Sequence, residues 1–265
     1  MTLAVTKLFD NIWQDYIAIT PSAKAICELL GSGNDVINDH VAYRTFNNDK
    51  VNIGKLAAHL IKLGYTDCGD YNFEQKKLVA KHFEHPDDTM PKVFISELLV
   101  EEFSAEVQAI INRIVNDINE DAITADNFLF SGRTWSLSNA EYQTLLKESE
   151  YAAWLAVWGY RANHFTVSIN HLAGFEEIEV VNQTLKDAGY VLNSSGGEIK
   201  GDATVMLEQS STMADSVEVD FSDATVKIPS CFYEFAKRYP LPNGELYTGF
   251  VAASADKIFE STNNG

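Results

Sequence analysis

Two histidines, an arginine and a glutamate are the residues of this chain whose types and spacing could do chemistry together. "NDHVAYRTF" sets His40 and Arg44 four residues apart in a run that reads as a β-strand. Alternate side chains of a strand share a face, so His40, Ala42, Arg44 and Phe46 point one way and Val41, Tyr43 and Thr45 the other. The later run "HFTVSIN" poses the same problem. Its His164, Thr166, Ser168 and Asn170 form a face too polar to pack on a helix, while Phe165, Val167 and Ile169 face a core. Two neutral imidazoles converging on a polar cavity are candidate metal ligands. Glu234, in "CFYEF", is the best third member: a carboxylate among Phe232, Tyr233 and Phe235 is costly unless paired or bound to a metal. Two histidines and a carboxylate are the face that suits non-haem Fe(II), with positions left open for a chelating substrate and dioxygen.

Plainer readings compete with this one. Each histidine could be an ordinary hydrogen-bonded strand residue, and Glu234 could open an exposed helix running into Ala236, Lys237 and Arg238. Glu97, in "FISEL", is the substitute ligand should Glu234 fail. His59 belongs to an amphipathic helix and reads as a surface residue. His82 and His85, in "KHFEHPDD", read as part of a loop because Pro86-Asp87-Asp88 follows. His171 reads as exposed, near Gly174. Tyr43, Tyr233 and Ser168 are the hydroxyls placed to act as proton donors. No P-loop, dinucleotide fingerprint, nucleophile elbow or zinc-finger spacing is present.

The elements that must position these residues follow from periodicity. Residues 1–31 read as two helices, the second opening on Pro21 and stopping at Gly31. A strand from about Asp39 to Phe46 precedes an amphipathic helix with Ile53, Leu56, Ala57, Leu60 and Ile61 inward, and short β-prone runs fill residues 65–100. Residues 101–160 are helical: "SAEVQAIINRIVNDINE" is one helix and "SNAEYQTLLKESEYAAWLAVWGY" a second, opening at Ser138 or Asn139. The earlier order then returns. "DHVAYRTF … HLIKLGY" is echoed by "NHFTVSI … TLKDAGY", with His40 24 residues before Gly64 and His164 25 before Gly189. "SGGEIKGD" sits between strands and reads as a hairpin turn. The expectation is an α+β fold: two βαβββ-type modules (38–100 and 161–240) form a partly open β-barrel around a metal site. The N-terminal helices precede them, a helical insertion (101–160) separates them, and a tail (241–265) follows in what reads as one domain.

The bulk numbers narrow the partners. Twenty Lys and Arg against 38 Asp and Glu give a net charge of −18, which disfavours nucleic acid and anionic membrane surfaces. An anionic substrate would need a local cation, which singles out Arg44. Three scattered cysteines, Cys27, Cys68 and Cys231, make no disulfide framework. With no secretory leader pattern and no apolar stretch of the roughly 18 residues a span needs, a soluble cytoplasmic protein is expected.

"DHVAYRTF", "NHFTVSI" and the late "YEF" resemble the 2-oxoadipate dioxygenase/decarboxylase family, long catalogued as a domain of unknown function, with a vicinal-oxygen-chelate-like fold. The likeness runs from the N-terminal helices to about Pro240 and is sharpest in His-x-Ala-x-Arg. It implies Fe(II) on His40, His164 and Glu234, although another divalent metal can occupy a purified sample. It also implies that Arg44 is both a catalytic and a substrate-binding residue, holding the substrate's carboxylate. The implied reaction consumes dioxygen, releases carbon dioxide from a 2-oxo dicarboxylic acid such as 2-oxoadipate, and leaves a 2-hydroxy acid such as 2-hydroxyglutarate. Better-known members are longer than 265 residues, so the triad and reaction type carry over more directly than the substrate. The alternatives are a non-redox isomerase, lyase or hydrolase using Zn(II), Mn(II) or Ni(II), and a metal-free module that sequesters a small carboxylate.

Overall fold

The computed structural model describes residues 2–31 and 36–262. Helices α1 (Thr2–Ile19) and α2 (Pro21–Gly31) come first. Val5, Leu8, Phe9, Ile12 and Tyr16 recur every three or four residues, and this buried stripe lays α1 on the sheet. The Tyr16 hydroxyl donates to the Phe232 carbonyl, and Trp13 and Tyr16 pack on the Phe165 ring.

The first module is β1 (Asn38–Phe46), α3 (Ile53–Ile61), β2 (Thr66–Phe73), β3 (Leu78–Glu84) and β4 (Lys92–Leu98). Helices α4 (Ala105–Asp117), α5 (Glu120–Thr124), α6 (Asn139–Glu148) and α7 (Glu150–Trp158) form the insertion. The second module is β5 (His164–Ser168), α8 (Ile178–Asp187), β6 (Lys200–Asp202), β7 (Leu207–Ser211) and β10 (Phe232–Arg238). A two-stranded ribbon, β8 (Ser216–Asp220) and β9 (Thr225–Pro229), interrupts it, and α9 (Ala252–Ile258) with a 3-10 turn (Phe259–Thr262) ends the described chain.

One eight-stranded sheet, ordered β2-β3-β4-β1-β5-β10-β7-β6, curls into a half-barrel. Its halves mirror each other strand for strand. β1 runs parallel to β4 as β5 does to β10, and the remaining pairs within each half are antiparallel. An antiparallel β1–β5 pair joins the halves. α3 covers β3 and β4, and α8 covers β7 and β10. The echo in the sequence is therefore a structural duplication, and its two leading strands lie side by side at the centre.

Several local expectations change. The run from Ser138 to Tyr160 is two helices, because Ser149 is extended (φ −153°, ψ 107°) and its hydroxyl accepts the Ala152 N–H to cap α7. Ile61 lies on the solvent side of α3. His59 is buried instead, 2.7 Å from the Ile123 carbonyl through Nε2 and stacked on Phe128, and desolvation holds its pKa below the ordinary value. The reach of the helical insertion thus defeats the amphipathic reading of α3. His82 lies within β3, buried, and only His85 belongs to the following loop.

Candidate metal centre

The β1–β5 register sets His40 opposite Thr166, and the β5–β10 register sets Glu234 opposite Thr166. Thr166 thus stands between the two on the concave face, with His164 one step along β5. Nε2 of His164 is 3.1 Å from Glu234 Oε2, and Nε2 of His40 is 3.5 Å from Oε1. The three candidate donor atoms lie within 4.8 Å of one another, and all three side chains are buried.

Each imidazole is held from behind by the residue before it. A register shift between Asn38 and His40 lets Asp39 turn back, so His40 Nδ1–H donates to its Oδ1 at 2.8 Å. Asp39 is gripped in turn by the side-on fork of Arg238, Nε at 2.7 Å and the terminal nitrogen at 2.8 Å. Burial alone would raise the Asp39 pKa, but Arg238 and His40 outweigh it and keep the carboxylate ionised. In the second module Asn163 Oδ1 lies 3.0 Å from His164 Nδ1 and accepts its hydrogen. This tautomer, assigned from the hydrogen-bond partners, turns both Nε2 lone pairs inward: that of His164 faces Glu234, and that of His40 accepts from the Thr166 hydroxyl at 3.0 Å. Desolvation lowers the His164 pKa and favours the neutral ring. Positive charge on the facing imidazoles, present when they are protonated, and the Gln209 Nε2, which donates to Oε1 at 2.6 Å, hold Glu234 below the ordinary carboxylate range against its own desolvation.

A carboxylate oxygen and an imidazole lone pair facing each other, as Glu234 and His164 do, repel unless a cation or proton lies between them. Glu234 Oε2 is buried and has no hydrogen-bond partner. The donor set therefore fits a divalent metal. Phe94, Phe250, Ala255, Ile258 and Phe259 close around it, leaving a cavity of about 20 Å³.

Arg44 lies on the same face of β1, two positions beyond Ala42, and is 2% exposed. One terminal nitrogen donates to both Glu150 oxygens at 3.1 Å. The other reaches the Thr262 hydroxyl at a long 3.3 Å, and Nε–H has no acceptor. Tyr151 and Trp154 lie against the guanidinium, each 4.9 Å from ring centre to Cζ. The fork that suits a carboxylate is thus held only by a hydroxyl.

The structure brings together His40, His164 and Glu234, with Arg44 on the shared face. Glu97 is not among them. It pairs with Thr45, an odd step from His40, so it faces outward and accepts the Ile53 N–H at 2.8 Å. Tyr43 and Tyr233 alternate with the site residues and face the opposite side of the sheet, and Ser168 bonds His171 Nδ1. Asp39, Asn163, Gln209, Arg238 and Phe250 were not anticipated. The Asx residue before each histidine was a legible signal, repeated in both modules. A second cluster, Cys68, His82 and Glu84, lies at the β2–β3 edge, with His82 hydrogen-bonded to Tyr71 and Glu84.

Paired βαβββ modules closing on two imidazoles and a carboxylate define a half-barrel protein with a candidate metal centre, and a glyoxalase-superfamily structure from Ralstonia eutropha JMP134 shares the fold at 21% identity and a TM-score of 0.74. Residues 4–248 match the family model for 2-oxoadipate dioxygenase/decarboxylase. A rice 2-oxoadipate dioxygenase/decarboxylase (chloroplastic/amyloplastic) is 37% identical over 97% of this chain and 78% of its own. The crystal structure of rice hydroxyglutarate synthase with 2-oxoadipate aligns over 100% of this chain and 94% of that one, at 36% identity and a TM-score of 0.91. A structure from Shewanella frigidimarina NCIMB 400, with only a provisional hydrolase description, is 66% identical over 94% of this chain and 98% of its own, TM-score 0.91. The chain belongs to the 2-oxoadipate dioxygenase/decarboxylase family.

Among the described residues, no helix is long and apolar enough to cross a membrane.

Proposed function

We propose that this enzyme carries out the reaction its family name describes. It would take a 2-oxo dicarboxylic acid of the 2-oxoadipate type and dioxygen to a 2-hydroxy acid and carbon dioxide, with Fe(II) on His40, His164 and Glu234. The observation that carries the metal assignment is the buried convergence of three acceptor atoms whose other edges are already committed. Bound there, Fe(II) would supply Lewis acidity toward the 2-oxo acid and the redox chemistry of dioxygen.

The chain's own residues divide the remaining work. Asp39 and Asn163 keep hydrogens on the Nδ1 atoms, so both Nε2 atoms keep their lone pairs, and a metal would take that of His40 from the Thr166 hydroxyl. Gln209 orients the Glu234 carboxylate. Arg44 would take a substrate carboxylate on its Nε and terminal-nitrogen fork, displacing the Thr262 hydroxyl, while Glu150 keeps the opposite nitrogen and offsets part of its charge. Phe94, Phe250 and Phe259 exclude water, which strengthens the Arg44 contact and protects the reacting centre.

The test is oxygen uptake by anaerobically purified, Fe(II)-loaded enzyme given 2-oxoadipate, with carbon dioxide release followed in parallel. Matched yields, abolished by His40→Ala and by Glu234→Ala, are expected. Turnover without oxygen, or with Zn(II) in place of Fe(II), would refute the oxygenase reading in favour of non-redox metal chemistry.

A further inference from the structure

The C-terminal segment closes the centre. Phe250, Ala255, Ile258 and Phe259 supply four of the nine residues that line the cavity. The Phe250 ring stands edge-on to His40 at 4.8 Å and packs on Phe94 at 5.0 Å. About 20 Å³ is room for about one water molecule. A six-carbon acid does not fit, so residues 247–262 must move for substrate to enter.

What holds the segment down also holds a metal-ligand candidate. Arg238 is 3% exposed. Its Nε and one terminal nitrogen grip Asp39, which accepts from His40. Its other terminal nitrogen donates to the carbonyls of Tyr247, at 3.0 Å, and Gly249, at 2.7 Å. The guanidinium also lies 5.2 Å from the centre of the Phe250 ring. On the opposite side, the Tyr71 hydroxyl accepts the Phe250 N–H at 3.1 Å and bonds His82 Nδ1 at 2.9 Å. Glu84 is 2.9 Å from His82 Nε2, so this cluster serves as the far clasp of the same segment.

We infer that Arg238 is a positioning residue that couples closure of residues 247–262 to the setting of His40, so that metal binding and closure favour each other. The inference rests on the metal reading above. A planar guanidinium can serve the carboxylate and the carbonyls at once, and a lysine ammonium cannot. Fixing His40 stabilises the arrangement that presents Arg238 to the segment, and the docked segment stabilises Arg238 against Asp39. Coupling of this kind is reciprocal.

The experiment measures two quantities on the full chain: Mn(II) affinity by chelator competition, and backbone hydrogen exchange across residues 247–262 with and without Mn(II). In the wild type, Mn(II) should slow exchange in the segment. Arg238→Lys should weaken Mn(II) binding by roughly tenfold to a hundredfold, the usual effect of losing a group that supports a ligand. It should also abolish the Mn(II)-dependent slowing. Tyr71→Phe loosens the segment from its other side without touching Arg238, Asp39 or His40, and keeps the test sound should Arg238→Lys fail to fold. It should speed exchange and weaken Mn(II) binding by a smaller factor. Weaker metal binding with unchanged exchange in either variant, or faster exchange with unchanged metal binding, overturns the coupling. A wild type that binds no Mn(II) overturns the metal reading itself.

Discussion

Glu234 shows how a buried carboxylate can be costly alone and stabilising with a partner. With the His164 hydrogen on Nδ1 toward Asn163, its Nε2 lone pair faces Glu234 Oε2 at 3.1 Å in the metal-free protein. Glu234→Gln keeps the shape, preserves an oxygen for Gln209 and turns an N–H toward His164. The metal-free variant should therefore unfold at the same temperature as the wild type or higher, while the stabilisation gained on adding Fe(II) under argon disappears. Thermal unfolding with and without metal reads both effects, and a variant still stabilised by Fe(II) would remove Glu234 from the ligand set. At this scale the sequence was informative where residue type and strand alternation suffice. His40, His164 and Glu234 share one concave face as alternation requires. Gln209 and Arg238 were not legible, because each acts through a side chain that reaches across strands: Gln209 pairs with Ala236 on β10, beside Glu234, and Arg238 lies 199 residues from the Asp39 it holds.

Among the elements, α7 bears on the site more than its sequence suggests. Residues Tyr151 to Trp158 are all buried, so the helix shows no amphipathic stripe from which a start could be read. Its start is set by Ser149, which ends α6 and caps α7 within one residue. That break places Glu150 against Arg44 and lets the Tyr151 hydroxyl donate to the Ser96 carbonyl at 2.6 Å and accept the Thr45 N–H at 3.0 Å, between β1 and β4. Ser149→Ala should cost about 0.5–2 kcal/mol of folding stability through the lost cap, read as a lower urea midpoint at unchanged slope. A loss of less than a few tenths of a kcal/mol would mean that packing alone sets the start of α7. Glu97 carries the complementary lesson. Its place in the repeat matched that of Glu234, but a repeat read from letters carries no register, and an odd offset between paired strands turns a side chain to the other face.

For the molecule as a whole, the duplication explains why the site lies where it does. Two modules related by a pseudo-dyad bring their first strands together at the sheet centre, so one histidine from each meets across the join. That much could be read from the repeated histidine strand, helix and Gly-Tyr. The closing role of residues 247–262 could not, since a short helix of small residues has no apolar period to announce it, and beyond the adjoining 3-10 turn its main contacts are with β2, β6 and β7. Net charge adds a last constraint. With 20 basic residues against 38 acidic, the molecule presents a negative field to a dianionic substrate, while Arg44 is buried behind the C-terminal segment and its charge is partly offset by Glu150. Long-range repulsion should therefore govern encounter, and screening should relieve it: the Debye length falls from about 30 Å at 0.01 M salt to about 8 Å at 0.15 M. Under conditions where substrate capture limits the rate, kcat/KM for 2-oxoadipate should rise over that range, and the rise should be smaller for a 2-oxo monoacid. A fall with salt would mean that a local positive potential at the entrance outweighs the field of the whole molecule, and that Arg44 acts on the substrate before the segment closes.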